Sequence, residues 1–384
     1  VRIAIAGGGP GGLYLAARVR HLIADSEVTV WERNHPGDTF GFGVVFSQAA
    51  LNGIREADPE LHADIAAHFV HWPDIAVRYR DEIVISSGHG FAAIGRKELL
   101  RLLRERCRKA GASVLFGVQA PPLDRLVAEF DLVVCADGAH SQTRARHREV
   151  FGTELDPRTS RYIWLATDKP FDALTFLIAE TPYGPLHGHA YPFDTGRSTF
   201  IAEADERTWR AAGFPAGDEA PPTADGSDRW AIGRLEEIFS AALQGHRLRG
   251  NRSRWRRFTV VRNRKWWHEN VVLLGDAAHT THFSVGSGTK LALEDALSLA
   301  TCLEQCGSVP EALALYEAER RPAVAATQRA AQVSLEWFED IGRVIGLSPS
   351  RFALELLTRS GRLTYSDLTA TAHTSNSDCQ TEIN

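Results

Sequence analysis

The sequence predicts an α/β protein: a parallel sheet built from strand–turn–helix units, a mainly antiparallel β layer inserted into it, and helices closing the chain. Three observations carry this. An apolar strand at the N-terminus runs into six residues that are all glycine or proline, and then into a helix. A second apolar strand, starting at Val271, runs into another glycine-containing turn and another helix. Between them, from Arg161 to Glu203, four segments of alternating character follow one another.

Taken in order, residues 2–6 are the first strand, broken by Gly7-Gly8-Gly9-Pro10-Gly11-Gly12. A helix follows from Leu13 to about Ala24, with Leu13, Ala16, Ala17 and Leu22 toward the sheet. The next strand, 28–31, ends at Glu32, which Arg33 follows. This is a Rossmann-like βαβ unit, with Gly7-x-Gly9-x-x-Gly12 at its first turn and an acid twenty residues past the last glycine. Glycines there allow a tight turn, close backbone approach to a pyrophosphate and close helix–sheet packing; the acid binds a ribose hydroxyl. A lone G-x-G-x-x-G is a weak signal. Here strand, helix and acid all stand where the mechanism needs them, and the unit reads as a dinucleotide site.

Residues 41–47, G-F-G-V-V-F-S with Val44 and Val45, are expected to form a flexible loop before a helix reaching Ala57. Arg96 opens a helix extending to Ala110, with Leu99, Leu102 and Leu103 as its apolar stripe. An arginine so placed either reaches a phosphate or is solvated. Strands at 113–116 and 132–136 extend the parallel sheet, the second leading into Asp137-Gly138. The alternating segments Y-I-W-L-A-T, T-F-L-I-A-E, H-A-Y-P-F and S-T-F-I-A-E read as an antiparallel layer suited to roofing a ligand cleft. Residues 215–226 read as a surface loop, and 311–343, bent at Pro322, and 349–359 as closing helices. The last sixteen residues read as a polar tail.

The segment 275–290, G-D-A-A-H-T-T-H-F-S-V-G-S-G-T-K, is the stretch the rest of the chain serves. A buried strand at 271–274 leads in, and a helix from Leu291 to about Cys302 leads out. Asp276, after Gly275, can accept hydrogen bonds from a polyol chain. Gly286 and Gly288 let backbone amides approach a planar ring at the positive end of the next helix, which favours an electron-rich group. Small residues are needed at any tight turn, so this stretch gains its weight from the N-terminal unit.

Composition narrows the classes. At 384 residues and 44% hydrophobic content the chain can bury a large core in two structural units. A net charge of −5 argues against a nucleic-acid partner. No apolar run reaches the ~18 residues of a membrane span, and the first residues read as a strand rather than a leader. Five irregularly spaced cysteines (Cys107, Cys135, Cys302, Cys306 and Cys379) point to reduced thiols and a cytoplasmic location. Cys302 and Cys306 have no histidine partners in sequence, so no metal site is expected. Between Arg247 and Lys265 stand eight arginines and one lysine with no acid. That stretch is either a solvated strand or a landing site for a polyphosphate, such as the handle of a coenzyme A thioester or a nicotinamide donor.

With G-G-G-P-G-G at 7–12, E-R at 32–33, D-G-A-H-S-x-x-R at 137–144, G-D-A-A-H at 275–279 and Y-E-x-x-R-R-P at 316–322, the chain resembles the FAD-dependent single-component aromatic hydroxylases nearly end to end. Within them it is most similar to the monooxygenase module of salicylyl-CoA and 2-aminobenzoyl-CoA 5-hydroxylases. The stretches concerned are G-V-V-F-S at 43–47, H-A-Y at 189–191, 282–292, E-W-F at 336–338 and L-L-T-R-S at 356–360. The 282–289 loop is also similar to the violacein-pathway hydroxylase. His282 and Phe283 stand where many aromatic hydroxylases carry prolines.

The resemblance implies the aromatic hydroxylase fold: a Rossmann-like FAD-binding domain at 1–70, 92–158 and 266–335, an antiparallel substrate domain at 71–91 and 159–265, and C-terminal helices and tail at 336–384. It implies FAD with its pyrophosphate along Gly9, Pro10, Gly11 and Gly12, its ribose at Glu32, its ribityl chain at Asp276 and its ring along Gly286, Gly288, Thr289 and Lys290. Gly7, Arg33, Val44, Val45, Arg96, Asp137 and Gly275 complete the cofactor set. One G-x-G-x-x-G unit leaves NAD(P)H as a transient co-substrate, with O2 as the oxygen source. The substrate is expected to be an aryl thioester, salicylyl- or 2-aminobenzoyl-type, on coenzyme A or a carrier protein, with Phe283, Arg254, Arg256 and Arg257 meeting it. A free or indole-type aromatic, or a flavin reductase or binding subunit, are the alternatives. Acid–base candidates are His282, His189 and Tyr191, the last two on one face of their strand; structurally satisfied histidines are the competing reading. The expected form is a cytoplasmic monomer or homodimer with no nucleic-acid or membrane partner. The fused coenzyme A enzymes continue into a reductase-like module, whose ring reduction is expected to be absent.

Overall fold

The structure, a computed structural model, describes residues 1–214 and 226–361. Its first sheet runs Trp267–His268, Val271–Leu273, Leu132–Cys135, Arg2–Ala6, Glu27–Glu32, Ser113–Phe116. Every pairing is parallel except the hairpin at the Trp267–His268 edge. Ile3, Ile5, Val133, Val134 and Val272 are fully buried, as strands covered by helices on both faces must be. Helix Pro10–Leu22 packs against helices Arg96–Ala110 and Gly288–Gln305. Its opening proline has no amide to leave unsatisfied in the first turn.

The alternating segments pair as the sequence predicts. Thr153–Thr167, Arg197–Ala204, Gly184–Asp194 and Leu174–Thr181 lie side by side and antiparallel. Ile75–Tyr79 then joins parallel to Leu174–Thr181, and Glu82–Ser86 forms the edge. One face of this roof sheet packs Phe200, together with Trp209 of helix Glu206–Ala211, against helix Arg229–Ile238; elsewhere Tyr79 and Phe176 meet Phe338 and Phe352 of the closing helices. Each such fully buried aromatic contributes roughly 1.5–3 kcal/mol.

Two expectations are corrected. Residues 43–47 are not a flexible loop. Gly43–Ser47 is a strand paired with Phe91–Gly95, which pairs in turn with Val70–Trp72. Its Val-Val-Phe run outweighs the flanking glycines, and Gly43 itself is required because a Cβ there would meet Phe193 and Thr199. The long helix runs Val309–Glu339 with Pro322 inside it, and the segment to Val344 is a separate 3-10 turn. The surface loop expected at 215–226, apart from Gly226, and the polar tail lie outside the described residues. Among those described, no helix is long and apolar enough to cross a membrane.

Candidate active site

A cavity of about 840 Å³ lies where the roof sheet meets the turns of the first sheet. Asp276 and the run Gly286, Ser287, Gly288, Thr289, Lys290 line one side, with Val44 and Val45 beside them. A smaller cavity of about 80 Å³ is lined by Gly8, Gly9 and Glu32. Arg96 lines both cavities, and its Nε is buried without a hydrogen-bond partner.

The loop glycines divide by what surrounds them. A Cβ at Gly7 would strike Ala136 O, one at Gly11 would strike Leu274, and one at Gly12 would strike Gly7 O. Those three serve packing. A Cβ at Gly9 meets nothing within 4 Å, and Gly9 caps helix Pro10–Leu22 with no side-chain hydrogen bond of its own. The helix's first amides therefore face open space, which is a cradle of the size and charge a phosphate fits. Glu32 accepts from Gly8 N and Asn34 N, each at 2.8 Å, and still borders the smaller cavity.

Asp276 opens into the large cavity, where burial raises its carboxyl pKa against the pull of His279, Arg96 and Arg144. Lys290 pairs with Glu294 at 2.7 Å. Gly275 takes a left-handed φ of 62° and sits tightly against Ala292. Eight of the sequence-predicted residues, Gly7, Pro10, Gly11, Gly12, Arg33, Asp137, Gly275 and His282, line neither cavity. Arg33 is exposed. Asp137 Oδ2 accepts from Gln142 N at 3.0 Å, while its Oδ1 is buried without a partner.

At the aromatic end of the cavity stand Tyr162, Trp164, Phe176, His189 and Phe283. Phe283 packs on Tyr162, with centroids 4.9 Å apart, and lies edge-on to His189 at 5.6 Å. His187, His189 and Tyr191 alternate along one strand and share a face. Across the register from His187 stands Glu203, only 1% exposed. Its Oε2 lies 3.0 Å from His187 Nε2 and 3.9 Å from His189 Nε2, and its Oε1 lies 3.6 Å from His282 Nε2. Burial by itself would raise the Glu203 pKa, but His282 and His187 hold it well below the usual carboxylate range. Burial, aided by His187, drives His189 well below the ordinary histidine value.

The three acid–base candidates are thus placed differently. His189 lines the cavity. Tyr191 lines it too, but its hydroxyl donates to Gly43 O at 3.1 Å and burial pushes its pKa up to about 12. His282 sits one layer back, its Nδ1 2.8 Å from Ser284 Oγ, which lies 2.8 Å from Ser334 Oγ. Arg359 Nε donates to that same Ser334 hydroxyl. Sequence reasoning passed over Glu203, His187, Ser334 and Arg359.

The acid-free basic stretch is compensated from elsewhere in the chain. Arg247 pairs with Glu236, Arg249 with Asp168, Arg252 with Asp38 and Arg257 with Glu206, at 2.7 to 3.6 Å. Arg252, Arg254, Arg256 and Arg257 nevertheless line the large cavity, away from which Arg247, Arg249, Arg262 and Arg264 lie.

Residues 1–331 match the family described as FAD binding domain. A salicyloyl-CoA 5-hydroxylase from a Streptomyces species is 46% identical over 363 residues, 94% of this chain and 70% of that protein. A 3-hydroxy-4-methyl-anthranilyl-[aryl-carrier protein] 5-monooxygenase from Streptosporangium sibiricum is 40% identical, covering 96% of this chain and 97% of that one. The solved p-nitrophenol 4-monooxygenase from Pseudomonas putida DLL-E4 superposes with a TM-score of 0.72 at 18% identity, covering 97% and 95% of the two chains, a likeness of fold alone. With an open helix N-terminus beside an aromatic-lined cavity, the chain belongs to the FAD-binding family and, within it, to the flavin-dependent aromatic monooxygenases.

Proposed function

We propose that this enzyme hydroxylates the ring of an aromatic acid presented as a thioester, on coenzyme A or a carrier protein, with NAD(P)H and O2 as co-substrates. One observation carries the reading: a single cavity has an aromatic end at Trp164, Phe176 and Phe283 and an arginine-lined side at Arg252, Arg254, Arg256 and Arg257. The ring suits the first and a phosphate-bearing handle the second. A thioester removes the carboxylate charge, so the ring enters without the several kcal/mol cost of burying an anion. Arg359, which stands over Phe176 and Phe338, already uses Nε, Nη1 and Nη2 on Ser334, Leu356 and Ser284. Three of its five N–H groups are thereby occupied within the protein. The two relatives named for aryl-CoA and aryl-carrier-protein chemistry support the same choice.

Bound FAD supplies the redox chemistry, and the protein supplies position and dryness. In this reading the pyrophosphate lies at Gly9, with Arg96 between the two cavities, Glu32 meets the ribose, and the ring lies along Gly286 to Lys290. Asp276 holds the ribityl hydroxyls. Asp276→Ala should then weaken FAD binding by at least about tenfold, through one or two lost charge-assisted hydrogen bonds of roughly 1.5–3 kcal/mol each. Flavin titration of the apoprotein measures this; unchanged affinity in a folded variant removes Asp276 from the site.

Saturation kinetics with salicylyl-coenzyme A and salicylate test the substrate class. The thioester should have a kcat/KM at least about a hundredfold higher, given the anion's desolvation cost. Equal values, with hydroxylated product from both, would sink the thioester reading.

A further inference from the structure

We propose that the Tyr162 hydroxyl determines specificity at this site: it donates a hydrogen bond to the thioester carbonyl of the substrate and so fixes which ring carbon faces the flavin. This rests on the aryl-thioester reading above and deepens it, by naming the protein group that recognises the acyl carbon.

Tyr162 belongs to strand Thr153–Thr167, and the sheet register places it between two charged residues. Glu203 stands opposite it on one neighbouring strand and Arg256 on the other. Residues directly opposite share a face of a sheet, so Arg256, Tyr162 and Glu203 form a row that His187 continues on the next strand. Trp164, two residues along, lines the cavity with Tyr162, while Ile163 and Leu165 pack into the core on the other face. The Tyr162 ring is held against Phe283, with centroids 4.9 Å apart. Its hydroxyl makes no hydrogen bond among the described residues and opens into the cavity. Tyr191, the other tyrosine of the cavity, instead donates to Gly43 O at 3.1 Å. A packed phenol ring with an unused hydroxyl is a polar group whose partner comes from outside the chain.

The covalent order of the substrate says which partner. In an aryl thioester the carbonyl lies between ring and handle. Tyr162 lies between the aromatic end, where it packs on Phe283, and the arginine-lined side, where Arg256 is its cross-strand neighbour. With the ring at the first and the handle leaving toward the second, the carbonyl oxygen comes to the phenol. The hydroxyl is also of the right kind. Burial raises the Tyr162 pKa; Arg256 opposes this, while Asp276 and Glu203 add to it. The phenol therefore stays a neutral donor, suited to a neutral carbonyl. A carboxylate in the same place would meet the fields of Asp276 and Glu203, the two acids that act on the hydroxyl itself. Pinning the carbonyl fixes the ring beyond it, and a displacement of about 1 Å is enough to lower a rate strongly.

The test sets two ligands against two forms of the holoenzyme, with oxidised flavin and no NAD(P)H. The ligands are salicylyl-coenzyme A and S-(2-hydroxybenzyl)-coenzyme A, in which a methylene replaces the carbonyl. The proteins are the wild type and Tyr162→Phe, which keeps the ring that packs on Phe283. Titrations followed by flavin absorbance should show the variant binding the thioester about tenfold more weakly. The thioether should change by less than about twofold, because the lost hydroxyl has no carbonyl to meet. In turnover, Tyr162→Phe should form less hydroxylated product per NAD(P)H oxidised. A purely structural role predicts equal losses for both ligands. Infrared spectra of the thioester, isotope-labelled at the carbonyl carbon, give a second readout. Bound to the wild type, the carbonyl band should lie below its position in an apolar solvent, and in Tyr162→Phe it should move back toward that position.

Two results overturn the inference: equal losses for thioester and thioether, or a carbonyl band in the wild type at its apolar-solvent position. The second needs no variant, so it decides the question should Tyr162→Phe fail to fold. Either leaves the thioester reading standing as long as salicylyl-coenzyme A is hydroxylated in preference to salicylate. No hydroxylated product from any aryl thioester sinks both this inference and the reading beneath it.

Discussion

Gly9→Val should give a folded protein that no longer retains FAD. Gly9 has an ordinary φ of −73°, and a Cβ there meets no atom within 4 Å, so the polypeptide accommodates the side chain without strain. The space it fills is the cradle in front of the first amides of helix Pro10–Leu22. Losing two or more charge-assisted hydrogen bonds of roughly 1.5–3 kcal/mol each should weaken FAD by at least about a hundredfold. The variant should purify colourless, with a circular-dichroism melt close to that of the wild-type apoprotein. Full flavin occupancy would show that the first loop does not hold the pyrophosphate. The neighbouring glycines cannot answer the question, because substitutions at Gly7, Gly11 or Gly12 strike protein atoms and would harm folding first.

Asp295→Ala should cost more stability than any surface change, about 3–5 kcal/mol. The Asp295 carboxylate is fully buried and accepts from His279 Nε2 at 2.6 Å, Arg320 Nε at 2.8 Å and Gly275 N at 3.2 Å. Removing it strands the His279 imidazole, leaves the Arg320 guanidinium with Glu294 alone and frees the turn that carries Asp276. The pH dependence has a definite sign. Burial would raise this carboxyl, yet His279 and Arg320 hold it below its ordinary value. Its stabilising contribution is therefore present above the unfolded pKa, near 3.9, and is lost as pH falls through the lower folded value. Thermal melts should show a wild-type advantage that is steady from pH 5 to 7 and narrows below about pH 4. Equal melting temperatures at pH 7 would mean that the network contributes nothing.

Much of this was legible in the chain itself. The Gly7–Gly12 turn, the acid at Glu32 and the turn at Gly275 lie in local strand–turn–helix signals, and local signals survive in sequence. The strand at Gly43–Ser47 was misread because two glycines flank it, whereas its pairing with Phe91–Gly95 is a long-range fact. The basic stretch was half legible: its arginines cluster within nineteen residues, but Glu236, Asp168, Asp38 and Glu206, which neutralise four of them, come from distant segments. Glu203 was hidden for the same reason. His187, His189 and Tyr191 announce a common face by their alternation, but only the register between two strands puts a carboxylate opposite His187. Arg359 comes to the cavity through the packing of the last helices, which no periodicity encodes.

The parallel pairing of Ile75–Tyr79 with Leu174–Thr181 has a consequence for biosynthesis. The first of these strands leaves the ribosome about a hundred residues before its partner, which at ~5–20 residues per second is an interval of roughly 5–20 s. The N-terminal strand waits longer still, since Ile3 pairs with Leu132, and Val133 in turn with Val271. During that time the nascent chain offers open strand edges, Ile75–Tyr79 covered on one side only by its hairpin mate Glu82–Ser86. Such non-local pairings are slow to form. The hazard of misassembly is concentrated in that interval, while the chain is still tethered.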